Sequence, residues 1–122
     1  QGRRPDARSF ALINRVLLLR ASNGTDVDVS FGALNFEVSM LKRASPFEFD
    51  AGVVLSTCSA EDLFVMKAFA SRSKDWQDAR GIAVRQGKIL NKSYILRHLT
   101  SLCELKETPE IVEDARRILE KI

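Results

Sequence analysis

Strand-type patterning fills the first half of this chain and helix-type patterning the second, with the change at about Cys58. A chain that makes strands first and helices afterwards does not supply the alternating βαβ units of a parallel sheet, so it points to the α+β class. Its 122 residues suffice for one compact domain with a modest core. We therefore expect a small sheet region over residues 1–58 and a helical region over residues 59–122, packed as one domain.

In the first half, Leu12 to Arg20 is rich in Leu, Ile and Val and reads as a strand. Asn23-Gly24 follows, a strong hairpin signal because both residues tolerate positive φ. Asp26-Val27-Asp28-Val29-Ser30-Phe31 then alternates strictly. Val27, Val29 and Phe31 fall on one face, and Asp26, Asp28 and Ser30 on the other. A two-residue turn would set Arg20 opposite Val27 on the apolar side, so the register stays open. The alternation predicts Asp28 on an exposed face, with Val27 and Val29 packed beneath helices. Leu34 to Ala44 reads as a short helix closed by Ser45-Pro46. Phe47-Glu48-Phe49 and Val53-Val54-Leu55 read as short strands around an Asp50-Ala51-Gly52 turn.

From Ser59 the signals are helical. Ser59 with Asp62 three residues on forms an N-cap pair for a helix to about Ala70. A second helix is expected from about Lys74 to Gln86, stopped by Gly87, and a third from Ser93 to Lys106. Thr108-Pro109-Glu110 supplies an N-cap, a proline at the first helical position and an early acid, opening a last helix to Lys121.

Apolar residues make up 45% and charged residues 29% of the chain, an ordinary balance for a folded protein. The longest apolar runs, such as Val16-Leu17-Leu18-Leu19, are far short of the roughly 20 residues of a membrane span. The net charge of +3 is compatible with phosphate-bearing partners without demanding nucleic acid. Cys58 and Cys103 lie far apart with no CxxC, which favours two reduced thiols in a cytoplasmic protein over a disulfide or zinc site. His98, the only histidine, reads as a partly exposed helix residue. The opening Gln-Gly-Arg-Arg-Pro-Asp has no signal-peptide pattern and no initiator Met, so a longer polypeptide is expected.

Three places could carry chemistry. Asp26 and Asp28 project from one strand face about 7 Å apart, a spacing that can hold Mg²⁺ and that also suits a solvated sheet face. Lys67 is the only charge in Leu63-Phe64-Val65-Met66-Lys67-Ala68-Phe69-Ala70 and must either snorkel to water or meet an anion. Asp75 and Asp78, spaced i and i+3, share a stripe with Ala79 and Ile82 and face the packed side or a cleft edge. Salt bridges to Arg72, Lys74 or Arg80 are the alternative. No GxGxxG, Walker loop, HExxH or Gly-x-Ser-x-Gly elbow is present.

The stretch Ala-Glu-Asp-Leu-Phe-Val-Met-Lys-Ala-Phe-Ala-Ser-Arg-Ser-Lys-Asp-Trp-Gln-Asp-Ala-Arg-Gly-Ile, from Ala60 to Ile82, resembles the helical motif of AbiEii-type (abortive-infection toxin-like) nucleotidyltransferases. Val16–Phe31 and the Gly32-Ala33-Leu34 after it resemble the part of that fold bearing its third acidic strand. The resemblance runs from about Leu12 to Gln86. It implies a partial nucleotidyltransferase-like sheet followed by a helical tail, and transfer of a nucleotidyl group from an NTP to a hydroxyl with Mg²⁺. The acceptor could be RNA or protein. By motif position Asp28 would be the third carboxylate, with Asp26 beside it at the metal. Lys67 would meet the nucleotide phosphates, and Asp75 and Asp78 would line the site. The heads of Lys67, Asp75 and Asp78 are then expected to converge, near the strand bearing Asp28. The family's Gly-Gly or Gly-Ser turn and first Asp-x-Asp strand have no counterpart here, so weak Mg²⁺ and NTP binding and no transferase activity are expected from these residues alone. A non-catalytic α+β module, antitoxin-like or RNA-binding, is the other reading of the same acids.

Overall fold

A computed structural model describes the chain from Gln1 to Ile122. It is α+β, with two small antiparallel two-stranded sheets and a helical C-terminal half. The chain divides into two compact units, Gln1–Val38 and Ser39–Ile122, so the division falls well before the change from strands to helices.

The first unit begins with α1 (Ala7–Asn14), followed by β1 (Val16–Arg20) and β2 (Asp26–Ser30). The strand expected from Leu12 is thus corrected: Leu12 and Ile13 belong to the last turn of a helix. Arg15 makes the switch. It takes the left-handed conformation (φ 57°), and its N–H closes the helix on the Ala11 carbonyl. Its guanidinium then donates to the carbonyls of Phe31 (3.4 Å) and Gly32 (2.8 Å), which offsets the strain of that backbone.

The hairpin forms where Asn23-Gly24 places it, with Gly24 at φ 85°. The connection is longer than a two-residue turn, which settles the register. Arg20 lies opposite Asp26, Leu19 opposite Val27 and Leu17 opposite Val29. Arg20 therefore meets a carboxylate across the strands, at 2.7 Å, and the apolar side chains meet each other. Asp28 is exposed, as the alternation requires. Val27 and Val29 are not packed beneath helices, however: they are 42% and 38% exposed. The helix of this unit, α1, packs on β1 and leaves β2 without a cover.

Helix α2 (Asn35–Arg43) crosses the division between the units. Its first turn is held by Glu37, whose carboxylate accepts from the N–H groups of Ala33 (2.6 Å) and Leu34 (2.9 Å). The second unit continues with β3 (Ser45–Asp50) and β4 (Val53–Thr57), paired as a hairpin with an irregularity between Glu48 and Asp50. Every residue of both strands is exposed.

Four helices complete this unit: α3 (Ala60–Ala70), α4 (Ser73–Gln86), α5 (Lys92–Lys106) and α6 (Pro109–Leu119), with a 3₁₀ turn Gly87–Ile89 after α4. All lie within about two residues of the bounds expected from caps and breakers. Helix α3 packs on α4 and α5, and α5 on α6. Phe64, Val65, Ala68, Ala79, Ile95, Leu99 and Ala115 lose all contact with solvent between them. Each large apolar side chain so buried contributes about 2 kcal/mol. The core therefore sits among the helices, and two carboxylates buried with it, Asp62 and Asp75, must find partners there.

Candidate functional site

Lys67 stands near the end of α3 and α4 begins just after it. Ser71, left-handed at φ 56°, ends α3 by donating its N–H to the Lys67 carbonyl. The tight reversal folds the start of α4 back against α3 and brings three sequence-predicted residues together. The Lys67 ammonium lies 2.7 Å from Asp78 Oδ2 and 3.6 Å from Asp75 Oδ1. It does not snorkel away from its neighbours; its side chain is only 30% exposed. Asp78 and, behind burial's opposing effect, Asp75 hold the ammonium above the usual lysine range, so it stays charged at neutral pH.

The two acids differ in kind. Asp75 is buried and fully engaged: Arg72 donates to it from Nε (2.6 Å), from Nη2 (3.2 Å) and from its backbone N–H (3.3 Å). Arg72 foremost, with Lys67 assisting, keeps the Asp75 carboxyl below the usual carboxylate range against the opposing effect of burial. Asp78 is 40% exposed, and Lys67 is its partner. The cluster thus has one anion fixed to the scaffold and one at the rim. An incoming anion could take Asp78's place on Lys67, since an exposed carboxylate returns to water at little cost.

Asp26 and Asp28 lie in the first unit and have other partners. Residues Gln1 to Arg3 run along β1, with the Arg3 N–H donating to the Leu18 carbonyl at 3.0 Å. The Arg3 guanidinium spans both acids, contacting Asp26 Oδ2 at 3.0 Å through Nη1 and Asp28 Oδ1 through Nη2. Arg20 takes the other oxygen of Asp26 and, ahead of Arg3, lowers that carboxyl below the usual range. Magnesium requires near-octahedral oxygen coordination. Here a guanidinium occupies the oxygens, and no group of three or more His, Cys, Asp or Glu residues is arranged to hold a metal ion. Asp26 and Asp28 as they stand do not fit one.

A second buried carboxylate, Asp62, reads from the sequence only as part of a helix cap. The Asp62 N–H donates to Ser59 Oγ (3.0 Å) and caps α3 as expected. Its carboxylate turns inward, accepting from Arg43 Nε (3.0 Å), Arg43 Nη2 (2.7 Å) and the Tyr94 hydroxyl (2.8 Å). Burial pushes this carboxyl up, yet Arg43 and Tyr94 together outweigh burial and hold it low. Arg43 also lies 5.6 Å from the Tyr94 ring centre and His98, half-buried on α5, lies 4.3 Å from it. A cleft of about 280 Å³ opens beside this network, lined by Arg43, Ser59, Glu61, Asn91 and Tyr94. Both cysteines are free thiols. No helix is long and apolar enough to cross a membrane.

No protein-family model, curated protein or solved structure matches the chain.

Proposed function

We propose that the chain is nucleotidyltransferase-like, of the toxin-like kind its central motif resembles, and that Lys67 holds the phosphates of an NTP. The observation that supports this is the convergence of Lys67 with Asp75 and Asp78 in a half-open position at the α3–α4 reversal. Buried Asp75 stays beside the ammonium as a fixed negative charge, while rim Asp78, its closer partner, occupies the place a phosphate would take. The chain contains no Gly-Gly or Gly-Ser turn, so the proposal assigns it the phosphate contact rather than the complete transfer to a hydroxyl of RNA or protein. Mg²⁺ enters only as the ion an NTP brings with it.

Displacement of a fluorescent NTP analogue by each of the four NTPs tests the reading. Weak binding is expected from the unaltered chain. Lys67→Met, which keeps the apolar stem, should abolish it. Asp78→Asn should tighten it about threefold or more, because the ammonium loses its competing carboxylate. Binding unchanged by either substitution would return Lys67, Asp75 and Asp78 to a structural role. The ion pairs that Arg3 and Arg20 make with Asp26 and Asp28 favour a second reading, a non-catalytic α+β binding module, and absence of any NTP binding would select it.

A further inference from the structure

Helix α4 has another side. Trp76 and Arg80, four residues apart and so on one face of the helix, line a cleft of about 270 Å³ with Asp114, Arg117, Ile118 and Lys121. The second wall is a single stripe: Asp114, Arg117, Ile118 and Lys121 recur at i, i+3, i+4 and i+7 along α6 and just past its end. Three of the six residues are cations and one is an acid. That acid is already taken, since Asp114 accepts from Arg117 at 3.0 Å. The side chains of Arg80 and Lys121 are exposed and make no hydrogen bond or ion pair within the chain. The main-chain oxygen of the neighbouring Ile122 is held by Lys92, at 2.6 Å. Trp76 is half-buried, and its indole N–H likewise donates to no group of the chain.

A cleft lined by two unpaired cations and a tryptophan whose ring N–H has no partner calls for a ligand that is both anionic and flat. We infer that it binds a nucleotide unit, with the phosphate between Arg80 and Lys121 and the base against Trp76. The unit can come from a free nucleotide or from an unpaired stretch of nucleic acid, and the cleft's chemistry is the same for both. This assignment does not rest on the Lys67 cluster, which uses the α3-facing side of α4.

Trp76 is the chain's sole tryptophan, so its fluorescence reports on this cleft directly. The test titrates the whole chain with AMP and, separately, with a short single-stranded RNA. Saturable quenching by AMP and RNA assigns a site open to free nucleotides; quenching by RNA alone assigns one that takes its unit from a strand. In either case the Arg80→Gln/Lys121→Gln double variant should weaken binding about fivefold or more, and added salt should weaken it further. Lys121→Gln alone, beyond the end of α6, provides a variant that cannot disturb that helix and should weaken binding in part. Lys67→Met should leave the quenching unchanged. Absence of saturable quenching by both probes, quenching indifferent to the charge variants, or quenching lost with Lys67→Met would overturn the assignment.

Discussion

With its carboxylate shielded from solvent, Asp62 satisfies the Arg43 fork and the Tyr94 hydroxyl at once. Truncation to alanine removes the two Arg43 hydrogen bonds and the Tyr94 hydroxyl's acceptor at the edge of the core. Asp62→Ala is therefore expected to destabilise the chain by about 2 kcal/mol, seen as a lower urea midpoint with an unchanged slope. The pH dependence follows from the same groups. Asp62 and Asp75 have folded-state pKa values depressed below their unfolded values near 3.9. Their stabilisation is present above that value and is lost as pH falls through the folded-state pKa. Burial, with Arg97 and Arg43 adding to it, lowers His98 from its ordinary value. The unfolded chain therefore takes up that proton first, and stability should already decline as pH drops below about 6.5. Urea midpoints measured from pH 7 to pH 3 should show both declines, and His98→Asn should remove only the earlier one. Such residues differ in how visible they are beforehand. Lys67, Asp75 and Asp78 could be read because one short reversal joins them. Arg43, Asp62 and Tyr94 could not, since each pairing spans a separation that only the packed helices close.

Local signals decide which elements can be read from a sequence. Ser59 opens α3, Gly87 stops α4 and Pro109 starts α6, each acting within one turn of itself. Helix α1 gives no such sign at its end. Its apolar residues run into those of β1 with no Gly or Pro between, and the break is an arginine in a conformation that arginine rarely adopts. The cover of β2 is a tertiary matter as well, which alternation along one strand cannot report. At the hairpin the signal and the geometry agree. Gly24 sits at φ 85° with open space where a Cβ would project, so the strain of a side chain there would be conformational alone. Gly24→Ala should cost about 1 kcal/mol within the first unit and reduce protection of the β1–β2 amides in hydrogen exchange.

Nearly all the buried apolar residues belong to the second unit; in the first, only Ala11 and Phe36 are buried. Stability should therefore be unevenly distributed. In native-state hydrogen exchange the slowest amides are expected in the buried stretches of α3, α4, α5 and α6, exchanging only through global unfolding. Amides of β1, β2, β3 and β4 should exchange through smaller openings at lower free energy. Equal protection of both sets would show that the exposed strands are held by something beyond their own pairing.

The β3–β4 hairpin carries Phe47, Phe49, Val53, Val54 and Leu55 into solvent on a ribbon of two strands, each with one edge free of partners. Such an edge is a template on which a further strand can add. Glu48 separates the two aromatics and Asp50 follows them, Pro46 withholds one N–H, and the irregular pairing after Glu48 bends the ladder. These features act as gatekeepers. The concentration at which the protein begins to aggregate is therefore expected to depend on this short ribbon rather than on the helical core. Glu48→Val should lower that onset in light scattering, even while the core remains folded.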